Sequence, residues 1–274
     1  MPKVLFIAGF VLFWFIPSVL GEDELVRFPK DSGFLPSNWI MDPIGAKVEV
    51  LKPEYRASAE AIIQKALSKY SEVMVNKFLE SVSIVGSLRF YDVGYGGTYM
   101  AKGRQIVLVY RPTFDARGFE QRFHHEFASI LLKNNEALFD GNRWRSANGI
   151  NFSYRAPGIV EEQRGDRSEA TRVLAAEQKR TGGSGSSLLR LDENLMEEGF
   201  LTPYNRVSVE QDMNELAAHL FTNPDLWGFC ERFPRIDQKV DVLIDFYRKL
   251  DPTMDRIYFR QIAIEPGNAS EPEL

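Results

Sequence analysis

The sequence predicts an α+β fold: a small N-terminal sheet, one long helix after it, and a mostly helical C-terminal half. Three observations carry this. Runs rich in Val, Ile and Phe cluster between residues 82 and 110. Phe119, Phe123, Phe127 and Leu131 then recur every four residues, the spacing of one helical face. From Ser208 onward the apolar residues again follow helical spacing. With 44% hydrophobic and 26% charged residues the composition is that of a globular chain, which excludes disordered, collagen-like and coiled-coil classes. A net charge of -5 argues against a nucleic-acid partner or an anionic membrane surface, since either needs a basic face.

Taken in order, the chain opens on Lys3, an apolar run from Val4 to Ile16, Pro17 and then Ser18-Val-Leu-Gly21. This reads as a secretory signal peptide over residues 1–21, cleaved near Gly21, with a periplasmic or secreted domain over 22–274 and no membrane association beyond the signal. The rival is an uncleaved anchor, for which Val4 to Leu20 lies near the lower limit of a spanning helix. No cysteine follows the apolar run, so a lipid anchor has no attachment point. Cys230 is the sole cysteine; it excludes an intrachain disulfide and a thiolate-rich metal site, and its aromatic neighbours suggest a buried thiol.

Residues 22–53, with four prolines, read as an extended lead-in. Residues 54–80 read as helical, Val82–Tyr91 as a strand, Gly94–Thr98 as a glycine-rich turn and Ile106–Tyr110 as a second strand. The turn carries no lysine and opens no helix, so it is not a phosphate loop. Phe119–Asn134 is the helix of the apolar stripe. Residues 142–154 are polar and aromatic, and 181–187 form a Gly/Ser-rich connector or flap. Ser208 and Gln211 have capping-box spacing at the start of the next helix, and Ile236–Leu250 is a further amphipathic helix before a Pro- and Glu-rich tail. The domain divides into lobes of about 22–135 and 136–274.

The three histidines carry the chemical signal. His124 and His125 open His125-Glu-Phe-Ala-Ser129, and His219 lies on the later helix. A zinc peptidase helix reads His-Glu-x-x-His, two imidazoles one turn apart with a Glu that takes a proton from the metal-bound water. Here the first His and the Glu stand, but Ser129 fills the second ligand position. At 100° per residue His125 points about 200° away from Phe123, off the apolar stripe. Gln211, Glu215 and His219 share one face of the later helix. Two helices buried through their stripes would therefore direct His125, Glu215 and His219 into one cleft, as three ligands of an open zinc site.

At these residues the chain resembles a family. Phe123-His-His-Glu-Phe-Ala-Ser-Ile-Leu131, Gly199-Phe-Leu-Thr-Pro-Tyr204 and Gln211-Asp-Met-Asn-Glu215 are similar to the zinc-binding metallopeptidases of the gluzincin, zincin-like type. Those are exported bacterial proteins with His-Glu-Phe-Ala-His, a Gly-Phe-x-x-x-Tyr stretch and a Glu-Asp-Phe-Ala-Glu helix. The resemblance, over roughly Val82 to Thr222, implies a zincin-like fold in which the strand pair before the active helix includes the edge strand for an antiparallel peptide. It also implies a peptide or protein substrate, Zn as cofactor, His125 as first ligand, Glu126 as general base and Tyr204 as the oxyanion donor. The family's helix glutamates fall on Gln211 and Glu215, and either position could supply the third ligand.

Two function classes follow. One is an exported zinc metallopeptidase in which His125, Glu215 and His219 hold the metal. The other is an inactive pseudopeptidase of the same fold that binds a peptide or envelope partner, favoured by Ser129 and Gln211. A structural protein with a fortuitous motif is a third. Each motif residue also has a plain structural role: Glu126 as the i+4 partner of Arg122, His124 and His219 as packed histidines, Glu215 as a helix-surface acid.

Overall fold

The computed structural model describes residues 25–264, apart from 114, 157, 159–168 and 182–185. The signal-peptide reading, residues 265–274 of the tail and most of the Gly/Ser-rich connector lie outside the described residues. Along the chain run β1 (Val26–Arg27), α1 (Ser37–Ile40), β2 (Lys47–Glu49), α2 (Arg56–Leu67), α3 (Glu72–Phe78), β3 (Ser81–Val85) and β4 (Ser87–Phe90). Next come β5 (Val93–Tyr95), β6 (Gly97–Met100), β7 (Gln105–Val109), α4 (Ala116–Asn134), α5 (Gly141–Ser146) and α6 (Glu169–Thr181). The chain closes with α7 (Glu193–Glu197), α8 (Val209–Thr222), α9 (Leu226–Arg232), α10 (Pro234–Leu250) and α11 (Arg256–Ile264). The fold is α+β, with the small sheets ahead of α4 and a helical C-terminal half, as the sequence predicts.

The strands form two sheets, a mixed one in the order β1-β3-β7-β6 and an antiparallel one in the order β2-β4-β5. Side-chain alternation assigns the faces of the first sheet. Val82, Ile84, Ile106 and Leu108 join the helical core, while Val85, Val107 and Val109 pack on Leu88, Phe90 and Leu35 of the second sheet layer. The stripe Phe119, Phe123, Phe127 and Leu131 of α4 is fully buried in the helical core, and each side chain there contributes about 1.5–3 kcal/mol of transfer free energy.

Several local expectations are corrected. Residues 54–80 form two helices: Ser71 is extended and its hydroxyl caps α3 by accepting from Met74 N at 3.3 Å. The run 82–91 is two strands in different sheets. At Gly86 the chain changes layer, and a Cβ there would lie 3.0 Å from Val50 O. Gly94–Thr98 is largely strand, belonging to β5 and β6. The hairpin turn is Tyr91-Asp92, both with positive φ (52° and 59°), which a two-residue turn matching the strand twist requires. Neither residue is Gly or Asn, so the usual signal was missing. The edge strand beside α4 is accordingly β6, whereas β3 and β7 of the expected pair are interior. Parts of the lead-in are strand, α9 occupies the aromatic stretch around Cys230, and α11 follows α10 with Phe259 and Ile262 buried. Cys230 is buried as expected, and burial pushes its thiol up to about 12.

The end of α7 fixes the loop that leads to the site. Phe200 N donates to Leu195 O and Gly199 N to Met196 O, the paired bonds of a Schellman C-cap. Gly199 has φ +95°, and a Cβ there would lie 2.8 Å from Ala147 O. Gly199→Ala is expected to destabilise the protein by about 2 kcal/mol, from left-handed strain and the backbone clash together. Urea denaturation measures this, and a loss below about 0.5 kcal/mol would mean that the loop relaxes freely.

Candidate functional site

Helices α4 and α8 form the most extensive helix pairing in the structure, and the candidate site lies where their polar faces meet beside β6. Asp115 caps the N-terminus of α4 through Gly118 N. Ser208 caps α8 by accepting from Gln211 N at 3.1 Å, so the capping residue read from the sequence sets the register of Gln211 and Glu215.

His125 is held at both ring nitrogens by α8. Nδ1 lies 3.2 Å from Glu215 Oε1 and Nε2 lies 3.2 Å from Gln211 Oε1. Burial alone would lower the His125 pKa, but the hydrogen bond and charge of Glu215 raise it. Burial likewise pushes Glu215 up, and the bond to His125 overcomes this, holding the carboxyl below its ordinary value. Tyr204, in a single helical turn over Pro203–Arg206, stacks its ring over His125 with centroids 6.5 Å apart and planes 25° apart. The Thr202 N–H donates to Asn205 Oδ1 at 3.0 Å, which fixes that turn.

Glu126 faces β6: a Cβ on Gly97 would lie 3.0 Å from its Oε1. Gly97 therefore lets the carboxyl approach the edge strand closely. Desolvation and the neighbouring Glu210 raise the Glu126 pKa to about 7, against the lowering charges of His125 and Arg122. Glu210 is itself buried and accepts from Tyr99 OH at 2.5 Å, tying α8 to β6.

Of the remaining histidines, one lies in the helical core and the other beside Glu215, on whose pKa its charge acts. His124 is fully buried, stacked on Phe221 at 4.4 Å and 8°, with Tyr70 OH 2.8 Å from Nδ1. It is a packed histidine. His219 shares the α8 face with Glu215, but its Nδ1 pairs with Asn223 Nδ2 at 3.2 Å. It makes no hydrogen bond or ion pair with His125 or Glu215 among the described residues, and burial lowers its pKa.

The donor set does not fit a zinc ion. No group of three or more His, Cys, Asp or Glu among the described residues is placed to hold a metal. Ser129, at the second ligand position, is buried and its hydroxyl accepts from Asn214 Nδ2 at 2.6 Å. A serine hydroxyl tied to an amide is a poor zinc ligand. Asn214 and the Tyr99–Glu210 link were missed by sequence reasoning; nothing in their local sequence marks them, because each partner lies 85 or more residues away.

Fold and site together define an α+β protein with a cluster of polar side chains between two helices and a sheet edge. No protein-family model and no curated protein matches the chain. A solved structure does: a candidate zinc-binding metallo-peptidase from Bacteroides caccae is similar at 17% identity and a TM-score of 0.43, over 75% of each chain.

Proposed function

We propose that this chain is a peptidase-like protein without a catalytic metal, which binds an extended peptide in the cleft between α4, α8 and β6. One observation carries the reading: the positions that would hold a metal are joined to each other, His125 to Glu215 and Gln211, and Ser129 to Asn214. The cleft keeps a strand edge. Gly96 O accepts from Val109 N. Alternation along the antiparallel ladder then aims the main-chain groups of Gly97 and Tyr99 away from β7, where an added strand would pair. Export is part of the proposal, motivated by the apolar run after Lys3.

The reading as an active peptidase has one observation in its favour. Glu126 at about 7 is in the range of a general base working near neutrality, with Tyr204 close by as a donor for the developing oxyanion. Elemental analysis and a cleavage assay on an alkylated, unfolded protein probe decide between the two. The expected result is substoichiometric zinc after loading and dialysis, with binding of the probe and no hydrolysis. Stoichiometric zinc that is lost in His125→Ala, together with hydrolysis lost in Glu126→Ala, would overturn the proposal.

A further inference from the structure

We infer that α6, with the short turn after it, is a strap that closes over His125 and Glu126 and must swing away before a peptide pairs with β6. The inference rests on the peptide-binding reading above and adds the control of access to that site. Its starting point is how little of the site is open. The side chains of His125 and Glu215 are 16% and 12% exposed, and Tyr204 is buried. An extended chain finds almost no surface on groups covered to that extent, so an element has to move. Neither α4 nor α8 is free to do so: Phe123 and Phe127 of one and Met213, Leu216 and Leu220 of the other belong to the main core. β6 is fixed along β7.

α6 is held differently. Val173 and Leu174 pack in a small separate cluster with Leu188, Tyr204 and Val207, and Tyr204 is the residue stacked on His125. About 7.5 Å further along the helix, Gln178 Nε2 donates to Gly94 O at 2.8 Å. Gly94 lies on β5, the edge strand of the second sheet, and leads into Gly97, against which Glu126 rests. α6 is thus tied to both sides of the site, to the ring over His125 and to the strand that runs on to Glu126. Arg180 and Ser187 both donate to Glu177, which braces α6 and the turn Ser186–Leu189 into one piece. Among the described residues α6 packs extensively on no other element. A helix held by few apolar contacts opens at far lower cost than the core around it. A docked strap also weakens peptide binding, in proportion to the fraction of molecules that are open.

The test uses the native chain, Val173→Ser/Gln178→Ala and Gln178→Ala alone. Two quantities are read: affinity for the alkylated, unfolded protein probe, and the rate at which diethyl pyrocarbonate acylates each histidine, resolved by tandem mass spectrometry. His124, buried in the core, is the internal control. In the double variant the His125 rate and the probe affinity should rise together by about tenfold, because both scale with the open fraction, while His124 stays unchanged. Unchanged His125 acylation in the folded variant overturns the inference, as does an equal, measurable probe affinity in native and variant. A parallel rise at His124 refutes it too, since the substitutions then loosen the whole fold rather than free a strap. A faster His125 with no probe bound by any of the proteins overturns the peptide reading and retains α6 as the cover of the site. Should the double variant fail to fold, Gln178→Ala, which removes only a hydrogen bond at a half-buried position, carries the same test with about a threefold effect.

Discussion

Lys239→Met is expected to lower the unfolding free energy by about 3–5 kcal/mol, the range for removing one partner of a buried ion pair. Lys239 on α10 is 1% exposed, and its Nζ donates to Asp212 Oδ2 at 2.5 Å and to Gly199 O at 2.6 Å. The ammonium also lies 3.9 Å from the centre of the Phe200 ring. Burial lowers the lysine pKa and the Asp212 charge opposes this, so the two are held as a pair. Asp212, equally buried on α8, further accepts from Trp144 Nε1 at 2.9 Å, Tyr154 OH at 2.5 Å and Asn205 Nδ2 at 2.8 Å. Methionine fills the volume but leaves that carboxylate with neutral donors only, inside a medium that solvates it poorly. Adding Asp212→Asn should recover about half of the loss, because the uncompensated charge goes while the hydrogen bonds partly remain. Urea denaturation of both variants checks this; a loss under about 1 kcal/mol in the single variant would mean that water reaches Asp212.

This pair also shows where the sequence stops being informative. In Ile236-Asp-Gln-Lys-Val240 the lysine looks like one more residue on the polar side of an amphipathic helix. Its partner is 27 residues away and its cap carbonyl 40, so only the tertiary arrangement buries it. Long helices are legible for the opposite reason. The stripe of α4 and the cap of α8 are local, and counting 100° per residue places His125 and Glu215 on faces that the structure brings to 3.2 Å. The same counting groups His219 with them; its charge acts on Glu215, and its Nδ1 pairs with the C-cap residue Asn223, a contact the counting did not foresee. The β4–β5 hairpin was illegible because its positive-φ turn contains no glycine: Tyr91 gives no warning of that conformation, and Asp92 alone is a weak one.

A second large effect is expected in acid, and in the native chain it is mostly hidden. His124 is fully buried, and desolvation, only partly opposed by Glu120, holds its pKa at about 4 against 6.5 when exposed. Tyr70 OH lies 2.8 Å from Nδ1 and Glu120 Oε1 lies 3.5 Å from Nε2. The unfolded chain therefore binds the proton first: stability is full above pH 6.5 and falls as pH drops to about 4. This amounts to about 3 kcal/mol, with His219 acting in the same sense. Glu126 opposes it. Its pKa of about 7, raised by desolvation from 4.5, means that the folded state binds the proton first and gains stability as pH falls from 7 to 4.5. Allowing for its partial exposure, this contributes about 2 kcal/mol. His125, whose pKa is raised, acts above pH 6.5, and Glu120, lowered to about 2 by His124 and Lys69 against its burial, acts below 4.5. Between pH 4.5 and 6.5 the native chain should thus show only a shallow slope. Glu126→Gln should expose a fall of about 3 kcal/mol toward acid, whereas His124→Gln should turn the slope to a rise of about 2 kcal/mol. Urea midpoints at four pH values across this window separate the two, and parallel profiles in all three proteins would mean that neither group is buried as the structure has it. Opposite slopes would instead show that a single turn of one helix holds a histidine neutral in the core and a carboxyl neutral beside β6. The local dielectric then decides both protonation states, and near pH 6 the Glu126 carboxyl that faces β6 is a hydrogen-bond donor.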